Sequence, residues 1–335
     1  MKSIAHKEIT KISIYFAFVL LFGALIAPAL FNLGKGIAGM RIVSEDGYLY
    51  KVLSGSDFKR YFNRAMLIAA LVGLVPLFRS LKIRRADLGM SPNPRWRSHL
   101  VIGFSVAAGL LLVMGAGYLV VGVFELAPPA NHRSAAEWGS RFDAGTIFGI
   151  VSAAIAVPLL EEFFFRGAIF GLALRTVRPL GALFFVTFFF TIVHFLKPPD
   201  TTVLADADVT WGSGFWMVGQ VFSKFGNPVF ILSQFATLFA VGWILGLARL
   251  RTDSLWLSIG LHGGWVFGLK FYSELTWIPV ELQRGGYLPW AGRDLKEGLV
   301  PLLFVILTGV IVFSWLRRSG SRPLNSELIA AGGEV

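Results

Sequence analysis

Apolar runs of about 20 residues, the length that crosses a hydrocarbon core, recur eight times along this chain. They cover about 12–33, 62–78, 99–124, 145–174, 179–196, 229–248, 254–272 and 298–316. Backbone amides and carbonyls find no water inside a bilayer, so a run of this kind has to satisfy them within a helix. The expected fold class is all-α: a polytopic membrane helical bundle with about eight transmembrane helices. Composition agrees, since only 15% of residues are charged where soluble domains carry about 25%.

The charges fix an orientation. With the N-terminus inside, the inner connections hold 16 Lys and Arg against five acidic residues, a surplus equal to the whole net charge of +11. The outer loops are close to balanced, as the positive-inside rule requires. Both termini are therefore expected on the cytoplasmic side, and the basic balance needs no nucleic acid to explain it. The chain has no cysteine, which excludes disulfides, thiol nucleophiles and Cys-ligated zinc. The first run, preceded by Lys2, Lys7 and Lys11 and containing "APA" at 27–29, has signal-peptide features, but it is long for an h-region and is read as a span.

No soluble domain and no internal repeat is visible, so residues 1–335 are read as a single integral membrane domain. Larger outer loops fall at about 34–61, 125–144, 197–228 and 273–297. The first, with "SEDGYLYKV", suits a small hairpin or an amphipathic segment. The stretch 211–225, with Trp211, Phe215 and Trp216, suits the interface where aromatic rings settle. The basic connector 79–97 belongs against anionic headgroups, and residues 317–335 read as a mobile cytoplasmic tail.

Inside this apolar chain, "VPLLEEFFFRGAIFG" (157–171) carries Glu161, Glu162 and Arg166. One such charge at a bilayer centre costs roughly 2.5–3.5 kcal/mol on insertion scales, so ionisable residues there mark function by default. Helix geometry sorts them. Glu162 and Arg166, four apart, share a face and should pair. Glu161 points about 100° away, and a carboxylate there suits a general base acting on water. A helix-locking ion cluster is the plainer alternative. Two later spans add one histidine each. His194 ends "FTIVH", with Phe190 one turn before it, and His262 sits in "SLWLSIGLHGGW" between Gly260, Gly263 and Gly264. Taken singly, each could be a packing histidine, and the glycines allow tight packing or substrate access. At 1.5 Å per residue all three polar centres lie roughly 12–23 Å from the cytoplasmic boundary. No span holds an Asp, HExxH is missing, and no serine–histidine elbow is seen, which sets aside three other intramembrane protease designs.

"EEFFFR" matches EExxxR, "FTIVH" matches FxxxH, and "SLWLSIGLHGGW" looks like the third motif of the CAAX prenyl endopeptidase and bacteriocin-processing (CPBP, or Abi) family. The order and spacing of the three fit from about residue 145 to 272. The resemblance implies an eight-helix intramembrane glutamic protease that needs no metal or other cofactor. On it, Glu161 is the base that activates water, His194 helps hold that water, and His262 donates to the oxyanion. Glu162, Arg166 and Phe190 are supporting residues. One position departs from the pattern: four residues after His262 the family commonly has Asn or another polar residue, and here stands Val266. Ser258, Gln234 or a backbone amide are the candidate replacement donors.

Three other readings compete. Zinc held by the glutamate and two histidines is the alternative within the enzyme class, since both residue types are ordinary zinc ligands. A membrane scaffold, chaperone or immunity-type protein that kept the fold is suggested by Val266. A transporter could also use buried carboxylates and histidines, though the matched broken helices of such proteins are largely missing. The expected partners are the lipid bilayer and a membrane-associated or membrane-embedded peptide or protein substrate, not nucleic acid. The expected location is a cell inner or plasma membrane in a bacterium, or an endomembrane in a eukaryote.

Overall fold

A computed structural model describes residues 2–40, 48–82, 88–90, 93–126, 142, 144–199, 202–223, 228–276, 290–291 and 296–319. Every regular element among these residues is helical. In chain order they are α1 (Lys2–Gly39), α2 (Tyr48–Ser54), α3 (Phe58–Leu81), α4 (Trp96–Val120), α5 (Ala144–Glu162), a π-helix (Phe163–Ile169), α6 (Phe170–Thr176), α7 (Pro179–Phe195), α8 (Ser213–Ser223), α9 (Pro228–Thr252), α10 (Trp256–Leu275) and α11 (Leu299–Arg318). Six stretches are long and apolar enough to cross a membrane: Thr10–Gly39, α3, α4, Ala144–Arg175, Leu232–Thr252 and α11. The apolar α7 is shorter. The chain is thus a polytopic helical membrane protein.

The remaining helix, α10, occupies the seventh expected span but is less greasy, and its surroundings explain why. Ten of its 20 residues are buried, among them Gly260, His262, Gly263, Gly264 and Gly268. A helix enclosed by other helices has little lipid to satisfy, so it can carry polar and small residues that a lipid-facing helix cannot. By contrast α5 turns Ile147, Val151 and Ile155 outward, all exposed.

Contacts divide the described chain into two compact units: Met1–Ile83 with Val193–Asn227, and Arg84–Ile192 with Pro228–Val335. In the first, α1, α3 and α8 pack on a core of Ala24, Ala27, Phe31, Phe58, Tyr61, Phe62, Ala65 and Met217. Close approach sets this core: a Cβ on Gly214 would collide with the Ala24 carbonyl oxygen. The N-terminus of α3 is capped by Asp57, whose carboxylate accepts from the Arg60 amide at 2.9 Å, and its end is closed by Lys82 at φ 48°. Residues 48–54, read as a hairpin or amphipathic segment, are helical as α2. The aromatic stretch becomes α8, which buries Met217 and Val221 and leaves Trp211, Phe215 and Trp216 exposed.

The second unit is built around α10, which packs against α4, α5 and α9. Its core joins Leu111, Met114, Leu245, Leu257, Leu261, Trp265 and Val312. Residues 320–335 of the expected mobile tail, and parts of the basic connector, lie outside the described residues.

Candidate active site

Glycine brings the elements of the site together. A Cβ on Gly260 would strike the Leu100 carbonyl, and one on Gly264 the Phe104 carbonyl, both on α4. On Gly263 it would lie 2.9 Å from the Ala154 carbonyl oxygen of α5. Of the two uses the sequence left open for these glycines, their contacts are those of tight helix packing. The result seats His262 against the end of α5, where the two glutamates are.

At this point the helix changes form. After Glu162 the chain runs as a seven-residue π-helix containing Arg166, a geometry rare overall and frequent at functional sites. The ion pair expected from α-helical spacing is present, with Arg166 Nη1 donating to Glu162 Oε1 at 3.1 Å. Both side chains are fully enclosed, Glu162 and Arg166 each at 0% exposure. Burying two charges costs several kcal/mol each, so the pair depends on further partners. Arg166 Nη2 also donates to the Gly242 carbonyl of α9 at 3.3 Å, and its guanidinium lies 4.1 Å above the Phe190 ring. A Cβ on Gly242 would stand 3.1 Å from Phe190 and 3.2 Å from Thr187, tighter than ordinary packing contact.

Glu162 has a second partner that the sequence reading missed. His262 Nδ1 lies 2.8 Å from the same Oε1. A carboxylate only accepts, so Nδ1 carries the proton that makes this bond. The ring is thereby fixed with Nε2 toward Glu161 Oε2, 3.9 Å away. That separation is longer than a hydrogen bond, so the two groups face one space. Glu161 is the more open of the glutamates, with its side chain 29% exposed against 0% for Glu162. Phe190 closes the arrangement from α7, edge-on to His262 at 6.4 Å and buried.

The structure therefore gathers Glu161, Glu162, Arg166, Phe190 and His262 within the second unit. His194 stands half-buried in the last turn of α7, one turn after Phe190, and counts with the first unit. Among the described residues, no three His, Asp or Glu side chains are gathered as a metal ion would require. Val266, one turn beyond His262, is half-buried. Of the candidate replacement donors, Ser258 is spent: its hydroxyl donates to the Leu245 carbonyl at 2.9 Å. Gly242 was the unread partner. As one of two glycines in the apolar run of α9, it gave the sequence reading no sharper signal.

No curated protein and no solved structure matches the chain. One family model does, that of the Rce1-like type II CAAX prenyl endopeptidases, over residues 143–268. This segment runs from the start of α5 into α10 and contains every residue placed in the site. Over these helices the chain is similar to the CAAX-protease-like membrane proteases, in line with the resemblance carried by the three sequence motifs.

Proposed function

We propose that this chain is an intramembrane endopeptidase of the glutamic type. The observation that carries the reading is the doubly used Glu162, which anchors Arg166 on one side and His262 on the other and so turns Nε2 toward Glu161. Glu161 takes a proton from a water molecule, and the water oxygen attacks the carbonyl carbon of the scissile peptide bond. The C=O electron pair moves onto oxygen, where the His262 Nε2–H meets it. As the intermediate collapses, the C–N bond breaks and the proton held by Glu161 passes to the departing nitrogen. For His194 the support is the resemblance of FTIVH to the FxxxH motif, which implies a role in holding the water.

Fixed donors aimed at a developing oxyanion in a dry site are worth about 10²–10³ in rate each.

The test compares protein termini in cells expressing the wild type or Glu161→Ala at matched levels. New termini seen only with the wild type establish proteolysis and name substrates. Identical termini from a well-folded protein overturn the reading. They would favour the scaffold alternative, which rests on Val266 and on the commitment of Ser258 elsewhere. A strong chelator separates the zinc alternative, since activity lost to the chelator and restored by zinc would displace Glu-activated water.

A further inference from the structure

On the second unit, α7, α9 and α11 line an open groove of about 810 Å³. Its wall is aromatic: Phe184, Phe239, Trp243 and Phe313 line it, Gly309 forms part of its floor, and Arg317 stands at one end. The rings are organised, with Phe239 stacked on Trp243 at 6.0 Å and Phe184 edge-on to Phe239 at 5.8 Å. Only hydrocarbon-like surface lies between Arg317 and the far end, apart from the Ser314 hydroxyl.

Length and charge select the occupant. On α9 the lining runs from Ala236 to Leu247 and on α11 from Ile306 to Arg317. Each is 11 steps, or about 16 Å at the helical rise. One leaflet of a 30 Å hydrocarbon core is about 15 Å deep. A single crossing, α10, separates α9 from α11, so the two helices run the same way. Both end in arginines: Arg249 and Arg251, and Arg317 and Arg318. The groove therefore begins at a basic membrane face and reaches about one leaflet inward. Arg249 is engaged by Asp253 at 2.6 Å, whereas Arg317 is exposed at the rim. We infer that this groove is a binding site for an anionic phospholipid, one acyl chain lying along the aromatic wall and the phosphate on the Arg317 guanidinium.

The site is distinct from the proteolytic centre, although α9 serves both: Gly242 faces Arg166 and Trp243 faces the groove. The test uses native mass spectrometry of the full chain in detergent, titrated with palmitoyl-oleoyl phosphatidylglycerol or phosphatidylcholine. The wild type should retain phosphatidylglycerol preferentially. Arg317→Gln should reduce that preference about fivefold, the worth of one basic side chain at an anionic surface, while Arg318→Gln should not. Ala240→Trp should fill the groove and lower retention of both lipids, and Ser314→Phe provides the same obstruction should the first variant fail to fold. Equal retention of the two lipids by the wild type, or indifference to both obstructing variants, overturns the inference. So does displacement of bound lipid by a farnesylated peptide but not by phosphatidylglycerol, which would make the groove a substrate site. A dimer that forms without lipid and is lost in Ala240→Trp would assign the groove to a second copy of the chain.

Discussion

The two compact units solve the same packing problem and differ in what they bury. Around α1, α3 and α8, the buried polar residues among those described are hydroxyls, Ser56, Thr202 and Ser213. Phe31 meets the rings of Phe58 and Tyr61 edge-on at 5.7 and 5.4 Å, and an ion pair there, Lys35 to Asp206 at 2.7 Å, sits where Asp206 is 55% exposed. The second unit uses the same small-residue contacts, at Gly260, Gly263 and Gly264, but encloses Glu162, Arg166, Arg249 and His262. Interhelical fit in a membrane comes from van der Waals packing of small residues, and the first unit shows that it suffices without buried charge. Packing therefore does not require the charges of the second unit, and three of the residues, Glu162, Arg166 and His262, belong to the proposed site.

That contrast can be broken most directly at Glu161. Glu161→Gln preserves size and should reduce wild-type-specific protein termini to background while leaving expression and thermal unfolding in detergent unchanged. A variant that keeps full proteolysis would return the carboxylates to a packing role. Glu162→Gln should behave differently, because it strips charge from a carboxylate on which two buried groups depend. Breaking a buried pair costs about 3–5 kcal/mol, so this variant should unfold at markedly lower temperature as well as lose activity. In the first unit, Gly214→Ala drives a Cβ into the Ala24 backbone. Overpacking of this kind costs about 1–3 kcal/mol, and the turnover of the surviving folded protein should be untouched. A fall in specific activity instead would mean that the packing of α8 on α1 matters to the reaction as well as to stability.

Two smaller effects sharpen the picture. Val266→Asn returns a polar group to the turn after His262, and a rise of about tenfold in kcat is expected, a modest part of what one oxyanion donor supplies. No change would mean that another donor already meets the oxyanion. Lys35→Gln, at a partly exposed pair, should alter stability by about 1 kcal/mol, measurable as a small shift in thermal unfolding that shrinks in high salt.

Much of this was open to reading because membrane helices announce themselves. Length and hydropathy locate each span, and four-residue spacing brings Glu162 to Arg166. The contact between Glu162 and His262 was not legible, since it joins residues 100 apart in sequence and depends on how closely α10 approaches α5. The reduced greasiness of α10 was visible as glycines and a histidine, yet its enclosure required the other helices to be in place. The π-helix left no trace either. Register changes are detected where polar and apolar residues alternate with a period, and "FFFRGAI" is apolar on nearly every side. The aromatic groove is hidden for a similar reason: Phe239 and Trp243 look alike in sequence whether they face a neighbour or a lipid.

The π-helix also has a bearing on how this segment tolerates change. A wider turn holds one more residue than the α-helical turn it replaces, so Phe163–Ile169 stores a residue of slack inside a continuous rod. Losing one phenylalanine there would let the rod relax to ordinary winding while α5 and α6 kept their phase, and the lipid-facing and core-facing stripes on either side would stay where they are. What would change is the meeting of Glu162 and Arg166, whose spacing would shorten from four residues to three on an ordinary helix. In this segment the covalent count between two buried charges sets how they meet, in a place where winding alone would accept either number.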